Sequence, residues 1–360
     1  MDFEFSEEQR FILNIVKEFR ENELRDIAPE FDKSQKFPSQ FIKRLSELGL
    51  FGMMVSEDYG GGGVDILSLI TVIEEISKSS PPLGSILAVQ NLLVAYPIYR
   101  FGNESEKGLL PKICSGERLG CFAEKSVDAV LKGNQYILKG ETRFIPNAEK
   151  ADIFLIPING GEKVLLIEKG EGLSIKKRDD LMGLRYAGIG DIYFNEYKTS
   201  KENLLEGDGI YPICKALERV GLASISLGIA QIAFESSMEY SKERVQFGRP
   251  ISEFEMVQDM LVDMALNISV ARLLTYYSAS FLEKEEFIYR TAMAKLLSCD
   301  MAVNVTNKAI QIYGGYGYTK DYPVERFFRD ALTIKTLGGT PDSQRGLIMQ
   351  GLRKLKGRDL

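Results

Sequence analysis

The chain has 360 residues, enough for two or three domains with substantial cores. Hydrophobic residues make up 44% and charged residues 27%, as in an ordinary globular protein. The formal net charge is -6 and no basic tract is present, which argues against nucleic acid or an anionic membrane surface as a partner.

Met1 leads directly into the mixed-charge stretch MDFEFSEEQRF, which reads as neither a signal nor a transit peptide. No apolar run approaches the roughly 18 residues that a membrane span needs. The expected address is the cytosol. Histidine is absent, which removes Ser-His and Cys-His nucleophilic catalysis and every His-ligated metal. Proton chemistry must then fall to Glu, Asp, Lys, Tyr or Cys. Cys114, Cys121, Cys214 and Cys299 form no CxxC pair and read as buried thiols rather than a zinc or redox site.

Residues 1–115 carry helical periodicity. Ser6 before Glu7-Glu8-Gln9 is an N-cap signal, and Phe11, Ile12, Ile15, Val16 and Phe19 follow at helical spacing. A second helix is expected from Pro38 to Gly49, a loop at YGGGGVD, and a third helix from Ile66 to Ser77. Further helices are expected at about 83–101 and 105–114. Residues 116–205 turn to short β-rich runs (YILKGETRFI, ADIFLIPI, KVLLIEK and GIGDIYFNEY) bounded by Gly, Asn and Asp. They predict a small antiparallel barrel or sandwich. Residues 206–360 return to helices, near 209–243, 252–284, 286–314 and 323–336, with a last one after Pro341. The fold class is α+β, with an N-terminal helical domain, a small β-barrel or sandwich, and a C-terminal four-helix bundle. No GxGxxG follows a strand, which argues against a nicotinamide-binding domain.

Six segments resemble acyl-CoA dehydrogenases and occur in that family's order. They are FSEEQRFILNIVKEF, ELGLFGMMVSEDYGGGGVD, FGNESEKGLLPKICSGERLGCFAE, NLLEGDG, ERVQFGRPISEFEMVQDMLVDMA and QIYGGYGYTKDYPVERFFRDALTIKTLGGT. The resemblance spans nearly the whole chain and implies FAD as cofactor. It implies that Arg244 and Phe247 of RxxFG contact the FAD of a neighbouring subunit, with Ile251 and Phe254 further along the same face. Gln311, Gly314 and Gly315 match positions on the adenosine and pyrophosphate side, and Thr340 matches a phosphate-binding threonine. Arg326, Arg329 and Asp330 read as structural ion pairs.

Two departures stand out. The family's T-E-x-x-x-G-S-D, which supplies flavin and thioester contacts, is shortened here to AEKSVD; Phe122 and Ala123 lie at its start, and Ser126 is the counterpart of its substrate-side serine. Phe144 and Pro146 replace the Trp and Thr beside the flavin ring, and Phe144 can still cover an aromatic face. The second departure is Gly338, which stands where many members place the catalytic Glu. Its N–H can still hydrogen-bond a thioester carbonyl, as the family's does. An alternative base is Glu218, placed like the Glu of isovaleryl-, long-chain- and carrier-protein-acting members and followed by Arg219. Glu218, Gly221, Leu222, Ile225 and Ile229 share one helix face, and a carboxylate there gains a raised pKa on burial.

The resemblance therefore implies α,β-dehydrogenation of an acyl thioester. Glu218 would take the α-proton, Gly338 would hold the carbonyl, and Arg219, Leu222 and Ser126 would line the substrate. The thioester would sit on CoA or on an acyl or aminoacyl carrier protein. Electrons would pass to an electron-transfer flavoprotein or to oxygen. Family members are usually tetramers, and cofactor contacts across subunits imply at least a dimer. The alternatives are a flavin monooxygenase or oxidase on the same fold and a non-catalytic flavin-binding paralogue.

Overall fold

A computed structural model describes residues 5–355. Helix α1 (Glu7–Phe19) begins with a reciprocal cap: the Ser6 hydroxyl accepts from the Gln9 N–H at 3.2 Å, and the Gln9 side chain accepts from the Ser6 N–H at 3.0 Å. A widened π-helical turn at Arg20–Leu24 follows, and buried Arg20 pairs there with Glu75 at 2.7 Å. Next comes α2 (Ala28–Ser34), which the sequence pattern did not predict because it is short and mostly polar. Helices α3 (Ser39–Glu47) and α4 (Ile66–Ser77) complete the first layer.

One rod follows, formed by α5 (Pro81–Ala88), a π-helical segment (Val89–Ala95) and α6 (Tyr96–Phe101). Two buried amides on its widened turn tie down the surrounding loops. The Asn91 carbonyl accepts from the Met53 N–H while its amide donates to Leu50 O; Gln90 donates to Ile113 O and accepts from the Gly120 N–H. Short helices α7 (Glu104–Lys107) and α8 (Leu110–Cys114) lead into the strands.

The strands form two sheets around a shared core that includes Leu138, Phe154, Ile156, Leu165, Ile192 and Phe194. Strands β1 (Gly120–Phe122), β4 (Ile153–Ile158) and β5 (Lys163–Glu168) make one, in the order β1-β4-β5. Strands β2 (Asp128–Lys132), β3 (Gln135–Ile145), β6 (Leu173–Lys177) and β7 (Gly190–Ser200) make the other, in the order β2-β3-β7-β6. This is the sandwich form of the expected β-region, with one correction. It is not wholly antiparallel, because β1 pairs with β4 in parallel. The chain visits the second sheet through β2 and β3 before returning, so β4 enters beside β1 in the same sense.

The C-terminal part is α9 (Ile210–Glu243), a two-residue hairpin β8 (Val245–Gln246) and β9 (Arg249–Pro250), then α10 (Glu255–Ala279), α11 (Phe287–Tyr313), α12 (Gly315–Tyr318), α13 (Val324–Thr336) and α14 (Pro341–Leu352). Helix α11 packs against α9, α10, α13 and α14. Arg244 caps α9, and the chain turns at Phe247-Gly248 before it reaches Ile251 and Phe254. A second correction concerns apolar length. The stretches 81–101 and 210–243 are long and apolar enough to cross a membrane, but their most apolar windows are 94% and 78% buried within the protein. They are core helices.

All four cysteines are buried and unpaired. Arg329 binds Asp32 and Glu325, as its structural reading expects. Asp330 does something different: it is buried and accepts the Leu184 N–H at 2.7 Å, fixing the β6–β7 loop to α13. Burial pushes its carboxyl up to about 7. A raised carboxylate pKa means that the folded state binds more protons than the unfolded state between the two pKa values. Stability from this group is therefore present at acid pH and is lost as pH rises towards 7. Asp330→Asn is expected to flatten that slope, by about 1.4 kcal/mol per pH unit, in urea unfolding measured from pH 5 to 8.

Candidate active site

Helix α9 brings the chemistry-bearing side chains in from one side. Near its start, the Tyr211 hydroxyl donates to Glu124 O at 2.7 Å and its ring stacks on Phe122 at 6.2 Å. Two turns on, Glu218 lies among apolar neighbours with its side chain 13% exposed. The Lys215 ammonium, three residues earlier on the same face, contacts the Glu218 carboxylate directly and lies 3.4 Å from the Glu124 carboxylate. Burial pushes the Glu218 carboxyl above the ordinary range; Lys215 pulls the other way, and Glu124 adds to the rise. Burial alone would lower Lys215, but the two carboxylates outweigh it and hold its pKa above the usual value. Arg219 is 6% exposed, and its Nε and one terminal nitrogen have no hydrogen-bond partner.

The opposite wall is the turn after α13. Gly338 sits there at φ +70°, a backbone conformation that disfavours any side chain. A Cβ placed on Gly338 would lie 2.5 Å from Leu222 Cδ1 and 3.9 Å from the Glu218 carboxyl carbon. Gly338 and Glu218 thus face one another across one small space, with Leu222 at its edge. Two buried side chains fix the turn from behind. Lys295 on α11 donates to Lys335 O and Gly339 O, at 3.2 and 2.9 Å, and Gln344 donates to Gly338 O at 2.9 Å. Thr340 caps α14, its hydroxyl oxygen accepting the Ser343 N–H at 3.2 Å, which leaves the O–H free to donate.

The β-region supplies a third side. Phe122 and Ala123 are buried, and the Ala123 N–H prolongs the β1–β4 pairing to Leu155 O. Phe144 is at φ +59° and 46% exposed; its N–H donates to Asp191, and the Arg178 guanidinium lies 4.6 Å over its ring. The Ser126 hydroxyl oxygen accepts the Gly160 N–H at 3.1 Å, which leaves its O–H able to donate.

A separate group forms at the far ends of α9 and α11. Arg244, Ile251, Gly314 and Gly315 line one cavity of about 460 Å³ with Tyr240, Tyr313 and Tyr316. Gly314 adopts φ +59°, ψ −135°, which only glycine tolerates. A Cβ on Gly314 or Gly315 would meet nothing within 4 Å, so the backbone there is open to close approach by a ligand. Arg244 makes no salt bridge among the described residues and lies 5.7 Å over the Tyr316 ring. Phe247 is 94% exposed at φ +52°, with an edge contact to Phe254, and Gln311 is exposed nearby in sequence. An unpaired guanidinium, open glycine backbone and exposed aromatic rings fit a pyrophosphate-bearing flavin dinucleotide.

The chain matches two family models, "Acyl-CoA dehydrogenase, N-terminal domain" over residues 6–117 and "Acyl-CoA dehydrogenase, C-terminal domain" over residues 207–353. It is 37% identical to a short-chain specific acyl-CoA dehydrogenase of Clostridium acetobutylicum, over 98% of this chain and 99% of that one. The chain belongs to the acyl-CoA dehydrogenase family. Among solved structures of this fold, butyryl-CoA dehydrogenase from Megasphaera elsdenii superposes with a TM-score of 0.92 at 32% identity, covering 98% of this chain and all of that one. The prolyl acyl carrier protein oxidase AnaB superposes at 0.91 with 26% identity, covering 97% and 100%.

Against this acyl-CoA dehydrogenase framework, sequence reasoning missed Lys215, Glu124, Tyr211, Lys295 and Gln344. Lys215 had a readable signal, an opposite charge three residues from Glu218. Lys295 had a weaker one, a lone cation in the apolar run Ala292–Leu297. Glu124 reaches the site only through tertiary folding, and Gln344 reaches Gly338 from six residues further along the chain.

Proposed function

We propose that this protein is an FAD-dependent dehydrogenase that removes an α-proton and a β-hydride from an acyl thioester, with Glu218 as the proton-abstracting base. FAD is the cofactor. When bound, it supplies the hydride acceptor at N5. The observation that carries the reading is the closeness of Glu218 and Gly338: the Glu218 carboxylate faces a glycine that bears no side chain of its own. Glu218 takes the α-proton, and its burial and raised pKa suit a general base. The Gly338 N–H receives the thioester carbonyl and stabilises the developing enolate. Leu222 sets the apolar edge. Arg219 lends its charge to the same pocket. The product is the α,β-enoyl thioester.

Arg244, Phe247, Ile251, Phe254, Gln311, Gly314 and Gly315 would hold a flavin across a subunit interface, while Phe122, Ala123, Phe144 and Thr340 would contact it within one chain. An exposed stripe on α10 supports a homo-oligomer: Val262, Leu266, Val270 and Leu273 are each 55–59% exposed along one helix face. A cytosolic dimer or tetramer passing electrons to an electron-transfer flavoprotein, or to oxygen, completes the reading.

Two carriers of the acyl group remain in play. Relatives at 37% and 32% identity are named for acyl-CoA substrates. The carrier-protein reading draws on AnaB and on the shortened AEKSVD segment that carries Ser126. The experiment is anaerobic mixing of the purified flavoprotein with acyl-CoAs and with acyl and prolyl carrier proteins, read as bleaching of the oxidised flavin band. Bleaching by a thioester supports the dehydrogenase reading and identifies the carrier. A panel that leaves the flavin oxidised, together with a peroxyflavin on reoxidation after chemical reduction, favours a monooxygenase instead.

A further inference from the structure

We propose that Glu124 is a positioning residue for Glu218: it gives Lys215 a second counter-ion, so the base can be neutralised by a proton without stranding a buried ammonium. The inference deepens the reading above and rests on it for the proton-accepting role of Glu218.

Lys215 has a side chain only 10% exposed and sits between two carboxylates, touching Glu218 and lying 3.4 Å from Glu124. Glu124 is the more open of the two, at 28%. It is held in place from α9, because its own carbonyl accepts the Tyr211 hydroxyl at 2.7 Å. The charged and titratable groups around Glu218 are therefore Cys214, Lys215, Arg219 and Tyr211 on its own helix and Glu124 after β1. Lys295 stands behind Gly338 on α11, with its ammonium turned to the carbonyls of Lys335 and Gly339.

When Glu218 accepts the α-proton, the substrate's Cα–H bond breaks, a carboxyl O–H bond forms, and the electron pair stays on the thioester as enolate. Glu218 thereby loses its charge. If Lys215 had no other partner, that step would leave an uncompensated cation in a nearly dry pocket, which is strongly unfavourable. That cost would pin Glu218 in its ionised form and make it a feeble base. Glu124 removes the penalty, because Lys215 keeps an ion pair on both sides of the step. The two neighbours thus act in opposite senses. Lys215 keeps Glu218 ionised and ready to accept, and Glu124 restores its affinity for a proton.

The test is a pH titration of the Glu218 carboxyl by infrared difference spectroscopy on the FAD-loaded enzyme without substrate. The protonated-carboxyl band that disappears in Glu218→Gln is the one to follow. Its midpoint is expected to fall by about one pH unit or more in Glu124→Gln and to rise by a similar amount in Lys215→Met. Glu124→Asp is expected to fall less than Glu124→Gln, and it serves as the reading if Glu124→Gln does not hold FAD. A merely structural role for Glu124 predicts no such opposition. A midpoint that stays put, rises in the Glu124 variants, or moves the same way in the Glu124 and Lys215 variants overturns the proposal. Wild-type flavin reduction in Glu218→Gln would instead defeat the base assignment, and the midpoints would still report whether Glu124 and Lys215 govern this carboxyl.

Discussion

Glu218→Gln is expected to fold, to bind FAD as a yellow protein, and to lose flavin reduction by about 10²–10⁴-fold when mixed with a thioester that bleaches the wild type. The amide has nearly the shape of the carboxylate, so the space facing Gly338 persists. It cannot take a proton from carbon. One structural consequence follows: Lys215 loses a counter-ion but keeps Glu124, so no buried cation is left alone and the fold is retained. The measurement is rapid mixing under anaerobic conditions, with thermal unfolding of both proteins as the control. Unchanged flavin reduction would remove Glu218 from the chemistry.

The second large effect is expected from Gly338→Ala. A methyl group there meets Leu222 Cδ1 at 2.5 Å, and the backbone at φ +70° is unfavourable for alanine. The positive φ costs about 1–2 kcal/mol, and the overlap forces the turn or Leu222 to move. The Gly338 N–H is the group that meets the thioester carbonyl, so a shift of the turn misaligns it. Flavin reduction is expected to fall by about tenfold or more, on the scale that a 1 Å misplacement produces. Adding Leu222→Ala removes the steric part. The double variant Leu222→Ala/Gly338→Ala should therefore regain part of the loss in urea unfolding. A double variant no better than Gly338→Ala would show that the backbone conformation, not the overlap, sets the cost.

Much of the fold was legible from periodicity. Helix α4 falls on Ile66–Ser77 as read, and α9, α10, α11, α13 and α14 lie within a few residues of their predicted spans, while the short α12 was not predicted. These segments are long and periodic, so local signals and burial agree. Helix α2 was missed because seven residues with few apolar side chains carry little pattern. The parallel β1–β4 pairing was missed because it depends on a chain path through two sheets, which no local pattern encodes. The same division runs through the site. Glu218, Leu222 and Gly221 could be placed on one face by helix spacing, and Gly338 by its motif. What surrounds them could not. Glu124 and Lys295 come from segments far from α9 and the Gly338 turn in the chain, and only packing shows that one meets Lys215 and that the other, with nearby Gln344, fixes the turn. The hairpin between α9 and α10 was not read from the sequence: Phe247-Gly248 adopts positive φ at both residues and turns the chain back on itself.

The central claim is that this chain oxidises an acyl thioester between Cα and Cβ. Its most direct test is a single anaerobic turnover of the FAD-loaded enzyme with the thioester that bleaches it, with flavin absorbance and acyl-group mass read on the same sample. The predicted result is one α,β-enoyl thioester, lighter by two hydrogens, for each flavin reduced. Flavin reduction without that product, or an acyl group that gains oxygen when air is admitted, would contradict it.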